Sequence, residues 1–100
     1  MSYKQELAIE AIIEEREYQD TKWNPVEDHG HNVTEWLVYI QDYANEALRV
    51  LSRKPDSEAI PFANHTIRKI AAMGVACMEQ NGTLRRNMEG ARPIGARADT

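Results

Sequence analysis

The chain is 100 residues long, 42% hydrophobic and 28% charged, with a formal net charge of −4; that suffices for one domain and excludes a large self-sufficient core. Its single cysteine, Cys77, excludes an internal disulfide framework and fits a reducing compartment. No apolar run approaches the roughly 18 residues of a membrane span, and the first residues lack the pattern of a secretory signal, so a cytoplasmic protein with no membrane partner is expected. Eight acidic side chains in residues 1–30 face only Lys4, Arg16 and Lys22, whereas residues 81–100 hold Arg85, Arg86, Arg92 and Arg97 against Glu89 and Asp99. An acidic body with a mildly basic tail argues against duplex DNA as a partner, because that needs a concentrated basic face. The tail is read as solvated, with an acidic neighbouring subunit or a phosphate as the other readings.

Ala, Glu, Arg, Leu and Met dominate and no stretch alternates apolar and polar residues, so the expected fold is all-α, a small bundle of three main helices completed by oligomerisation. The first helix is placed at about 3–19. Tyr3, Leu7, Ala11 and Tyr18 recur on one face, and Ile9, Ile12 and Ile13 lie on others. A loop follows over about 20–31, marked by Asn24-Pro25 and His29-Gly30.

The second helix is placed at 33–53. Asn32 with Glu35 three residues on has the form of a capping box, with Thr34 as the competing cap. Its stripe is Trp36, Leu37, Ile40, Tyr43, Ala44, Ala47, Leu48 and Leu51, and Lys54-Pro55 ends it. The third helix is placed at 60–80, with Pro61 tolerated in a first turn and Asn81-Gly82 as the stop. One face carries Ile67, Ile70, Ala71, Gly74, Cys77 and Met78; the opposite one carries Ala72, Met73 and Ala76, below His65 and Lys69. The second face is read as a subunit interface, since its small side chains admit a close neighbouring helix. A fourth helix from residues 83–90 folding over it is the alternative. Residues 1–82 are read as one helical domain and 83–100 as a partly flexible tail.

The most distinctive stretch is Glu15-Arg16-Glu17-Tyr18-Gln19-Asp20-Thr21-Lys22-Trp23, of the form E-R-x-x-Q-D-x-K-W, followed by a His-containing loop and Trp36-Leu37. This order resembles the MazG-like all-α nucleoside triphosphate pyrophosphohydrolases, particularly the short phage and prophage members, over roughly residues 8–80. In that family an E-E-x-x-E motif on one helix and an E-x-x-D motif on the next hold Mg²⁺, which needs several convergent hard oxygen ligands. Aligned on Trp36, the first motif falls on Asp42-Tyr43-Ala44-Asn45-Glu46, where Asp42 and Glu46 keep their carboxylates. The second falls on Thr66-Ile67-Arg68-Lys69, where neither carboxylate remains. A lysine in place of an acid puts positive charge where a divalent cation needs negative charge.

The resemblance thus implies a non-catalytic nucleotide-binding protein, with no catalytic residue and no cofactor. Its expected ligand-binding residues are Arg16, Lys22, Trp23, Arg68 and Lys69, with Tyr39 and Asn45 nearby. By analogy, a phage protein of this kind would sequester a nucleotide-derived defence signal such as a cyclic nucleotide. The first alternative is a Mg²⁺-dependent nucleoside triphosphate pyrophosphohydrolase, with Asp42 and Glu46 as metal ligands joined by Glu14, Glu15 or Glu17. The second is a structural oligomer without ligand.

Each residue also has an ordinary reading. Lys69 fits a salt bridge to Asp42 or Glu46 as well as a phosphate contact. Asp42 and Glu46 fit a solvated face paired with Arg49. Trp23 fits a core cap as well as a stacking plate for a base, and Tyr39 and Tyr43 share that double reading, with Tyr43 placed rather in the core. His29-Gly30-His31 is read as a polar loop rather than a metal site, two histidines being too few. Cys77, inside an apolar helix, is read as inert.

Overall fold

The computed structural model describes residues 2–22, 30–53, 57–87 and 90–93. Three helices, α1 (Tyr3–Lys22), α2 (Val33–Arg53) and α3 (Ala59–Asn81), are followed by strands β1 (Leu84–Asn87) and β2 (Gly90–Pro93). The protein is a small all-α bundle with one hairpin appended. Trp23 and His29 lie outside the described residues.

Each helix begins and ends for a local reason. Ser2 Oγ accepts the Gln5 N–H at 3.1 Å, which caps α1. At α2, Asn32 Oδ1 accepts the Glu35 N–H at 2.8 Å while Glu35 Oε1 accepts the Asn32 N–H at 3.0 Å, the reciprocal pair expected from the sequence. Pro61 sits in the first turn of α3. At its other end Gly82 adopts φ +100 and its N–H returns to the Met78 carbonyl at 2.9 Å. A side chain at that φ is strained, so glycine fixes the exit.

α3 is the central helix. It packs against both α1 and α2, which touch one another far less. The core is Trp36, Met73 and Ala76, flanked by Ile40 and Cys77. The Ala72-Met73-Ala76 face, expected to meet another subunit, is buried within the chain: Ala72 and Ala76 are wholly covered and Met73 is 2% exposed. Small side chains there admit α2. On the other face Ile67 and Met78 remain exposed, while Ile70, Ala71, Gly74 and Cys77 are half-buried.

The stripes of the other helices are also only partly used. On α2, Trp36 and Ala47 are buried, but Leu37 and Leu48 are exposed. On α1, Tyr3, Leu7 and Tyr18 of the expected apolar face are exposed, and the buried residues are Glu15 and Gln19. That helix meets α3 through a polar seam beside half-buried Ala11 and Ile12.

A polar clasp fastens the entry of α2 to the end of α3. Gln80 Oε1 accepts the indole N–H of Trp36 at 2.9 Å and the backbone N–H of His31 at 2.8 Å. Asn81 Nδ2 donates to the His31 carbonyl at 2.8 Å. The His31 ring meets Trp36 edge-on, with centroids 5.3 Å apart. The buried indole thus keeps its one donor satisfied, as burial requires.

Among the described residues beyond Gly82 the chain is extended, where a fourth helix over 83–90 was the alternative. β1 and β2 pair antiparallel, with Leu84 opposite Pro93 and Arg85 opposite Arg92. Gly82 has already turned the backbone out of the helical path, which explains the difference. Among the described residues the hairpin makes no contact with the helices comparable to its own pairing.

Replacing Gln80 by leucine leaves the Trp36 indole and His31 amide donors without their acceptor. The expected loss is about 1–3 kcal/mol of stability, read from urea unfolding followed by helix circular dichroism. A loss under about 0.5 kcal/mol, the level of an ordinary surface substitution, would show that the clasp is incidental.

Candidate ligand-binding cleft

Because α1 and α2 both pack on α3 and barely meet, a cleft of about 420 Å³ opens between them. α1 lines it with Glu15, Tyr18, Gln19 and Lys22, spaced so that one helical face carries all four. α2 contributes Tyr43, and α3 contributes His65, Arg68, Lys69 and Met73. Residues 65, 68, 69 and 73 again share one face.

Three cationic side chains therefore meet one carboxylate. Glu15, 7% exposed, accepts from Arg68 Nε at 3.1 Å. The other end of the Arg68 guanidinium donates to His65 Nδ1. Glu15 is thereby neutralised by a partner that is itself 41% exposed. Lys22 and Lys69 remain without an ionic partner among the described residues. The Lys69 ammonium stands 6.0 Å from the Tyr43 ring centroid, at the outer limit of a cation–π contact. The cleft is net positive in a chain whose net charge is −4.

The cleft brings together Lys22, Arg68 and Lys69 of the expected binding residues. It does not include Arg16, Tyr39 or Asn45. Arg16 is held by Glu79 and Asp20, each at 2.5 Å. Burial alone would depress its pKa, but the hydrogen bonds and fields of those two carboxylates outweigh burial and raise it above the ordinary arginine value. Tyr39 packs edge-on against His31 and Trp36. Asn45 is exposed on α2. Trp23 lies outside the described residues.

Tyr43, read from the sequence as core, lines the cleft instead and is 42% exposed. Lys69 approaches its ring, and the salt bridge to Asp42 or Glu46 is not formed. Tyr18, Gln19, His65 and Met73 were not singled out for the site by sequence reasoning. The i, i+3, i+4, i+7 pattern Glu15, Tyr18, Gln19, Lys22 is the signal that finds two of them.

The remnants of the metal motifs do not converge. Glu46 is gripped by Arg49 through two hydrogen bonds of 2.7 and 3.1 Å, and Asp42 is exposed on α2. Thr66 turns its hydroxyl back to the Phe62 carbonyl at 3.1 Å. Among the described residues no group of three or more His, Cys, Asp or Glu gathers at one point. Mg²⁺ needs several convergent carboxylate oxygens, and here Glu15 and Glu46 are each paired with an arginine.

The Glu15–Arg68 pair makes an asymmetric prediction. Arg68→Met strands a buried carboxylate, whereas Glu15→Gln leaves a half-exposed guanidinium that water can solvate. Arg68→Met should therefore destabilise more, by about 1–3 kcal/mol relative to Glu15→Gln, in urea unfolding at neutral pH. Equal losses, or the reverse order, would show that the pair is not the polar seam of α1 on α3.

No family model, no curated protein and no solved structure gives a significant match to this chain.

Proposed function

We propose that the protein is a non-catalytic binder of a nucleotide or nucleotide-derived anion, held in the cleft between α1, α2 and α3. The observation that carries this reading is the convergence of Lys22, Arg68 and Lys69 with the rings of Tyr18 and Tyr43 around one already neutralised carboxylate. Ammonium and guanidinium groups bind phosphate oxygens through charge-assisted hydrogen bonds. Aromatic faces accept any base. A space of about 420 Å³ lies within the range of small-molecule sites.

The resemblance to the MazG-like family agrees with this reading and supplies the nucleotide part of it. Its metal-dependent hydrolysis does not carry over, because the carboxylates that would hold Mg²⁺ are dispersed or paired. Binding without cutting suits sequestration, and a phage protein capturing a cyclic nucleotide signal is the use that the resemblance suggests.

A second copy of the chain completes the protein in this proposal. Tyr3, Leu7 and Ile13 on α1 and Ile60, Phe62 and Ile67 on α3 are exposed, while the large buried apolar side chains are Trp36 and Met73. A mostly apolar groove between α1 and α3, lined by Ala8, Ala11, Ile12, Pro61, Ile67 and Ala71, lies among these residues.

Two experiments test the proposal. Incubation with a nucleotide panel, with and without Mg²⁺, followed by denaturation should return intact ligand from the protein. Monophosphate and pyrophosphate appearing only with Mg²⁺ would instead establish the hydrolase. Lys69→Asp should weaken nucleotide binding by at least about tenfold, since it removes one charge-assisted contact and adds repulsion; unchanged affinity would remove Lys69 from the site. For the second copy, light scattering after size exclusion should give a mass of at least twice 11.4 kDa, and a monomer mass at micromolar concentration would contradict it.

A further inference from the structure

Gln19 stands out among the residues of the cleft. It is 5% exposed and its Nε2 donates to the Lys69 carbonyl at 3.3 Å, which ties α1 to α3. Its Oε1 is buried and has no hydrogen-bond partner. A buried acceptor left unpaired costs free energy, and native proteins keep few of them. Arg68 is engaged with Glu15 and His65, and neither Lys22 nor Lys69 bonds to Oε1.

The amide cannot resolve this by exchanging its two ends. The Lys69 carbonyl only accepts, so nitrogen must face it and oxygen must face elsewhere. The bond to that carbonyl is long, and the last torsion of a glutamine is broad. Gln19 belongs to the cleft lining, and rotation about that torsion would turn Oε1 towards a ligand held there.

We propose that Gln19 Oε1 reads a hydrogen-bond donor on the ligand, so that the cleft selects a phosphate ester bearing a hydroxyl or N–H group over a bare phosphate or pyrophosphate. This rests on the cleft being the anion site. Lys22 and Lys69 supply positive charge, which any phosphate satisfies equally. Among the lining groups Gln19 Oε1 is the neutral acceptor that is both buried and unpaired. A sugar hydroxyl or the amino group of a base meets that need, whereas pyrophosphate offers only a P–O–H whose proton the neighbouring cations favour losing. The ligand class is thereby narrowed from anions in general to sugar phosphates and nucleotides. A site that reads a donor through a buried acceptor discriminates well, since the wrong ligand leaves the acceptor unpaired.

The test compares inorganic pyrophosphate with the four common nucleoside 5′-diphosphates and with ribose 5-phosphate, by calorimetric titration without Mg²⁺. The wild-type protein should bind at least one donor-bearing ligand more tightly than pyrophosphate. Gln19→Met keeps the volume and removes the acceptor; it should cut that preference roughly threefold to tenfold while leaving pyrophosphate affinity within a factor of two. Gln19→Glu keeps an acceptor and adds negative charge; it should weaken both ligand classes and retain the preference. A preference unchanged in Gln19→Met, or absent in the wild type while pyrophosphate binds, overturns the role of Gln19 and leaves the anion site standing. Failure of the wild-type protein to bind any of these probes overturns both.

Discussion

Everything in this fold depends on α3 serving as the wall for two helices that hardly touch each other. Ala72 and Ala76 are small enough to let a neighbour come close, and Trp36 fills the remaining space over Met73. Among the described residues no fourth helix closes the opposite side. The space between α1 and α2 therefore stays open as a cleft, and its walls come from the polar seam of α1 on α3, from Tyr43 of α2 and from the edge of the core at Met73. The clasp of Gln80 and Asn81 on His31 fixes α2 at its entry, so the position of Tyr43 follows from that anchor two and a half to three turns away.

The electrostatics of the cleft follow from the same economy. Burying α1 against α3 through Glu15 and Gln19 brings a carboxylate out of water, and such a group requires a partner. Arg68 provides it from α3. That pairing removes the one negative charge from the lining, so Lys22 and Lys69 act on whatever enters with little opposition. The proposed selectivity has the same origin: a seam built of polar side chains leaves Gln19 Oε1 unsatisfied, whereas an apolar seam would leave nothing to read.

Much of the fold was legible in the sequence. The capping box at Asn32 and Glu35 and the glycine exit at Gly82 are local signals, decided by groups within four residues, and both are present. What was not legible is tertiary. The two apolar faces of α3 look alike in composition, and only the packing of Trp36 decides that Ala72, Met73 and Ala76 turn inward. The helix character of α1 was clear, but its face was not, because the residues it buries are a glutamate and a glutamine that apolar periodicity ignores. Arg16 illustrates the same limit: it stands in the most distinctive motif, yet one partner is Glu79, 63 positions away. Lys22, Arg68 and Lys69 were named from their sign of charge, a property that survives without knowledge of the contacts, and they line the cleft. Tyr18 and His65 were not named, because their place in its lining comes only from the angle at which two helices meet.

The central claim is that positive side chains alone, without a metal, hold the ligand. A calorimetric titration of a nucleoside diphosphate in the presence of a chelator, repeated from low to high salt, tests it most directly. The account predicts saturable binding in the chelator, with affinity that falls steadily as salt rises because cation–phosphate contacts are screened. Binding that appears only when Mg²⁺ is restored, or that is indifferent to salt, would contradict it.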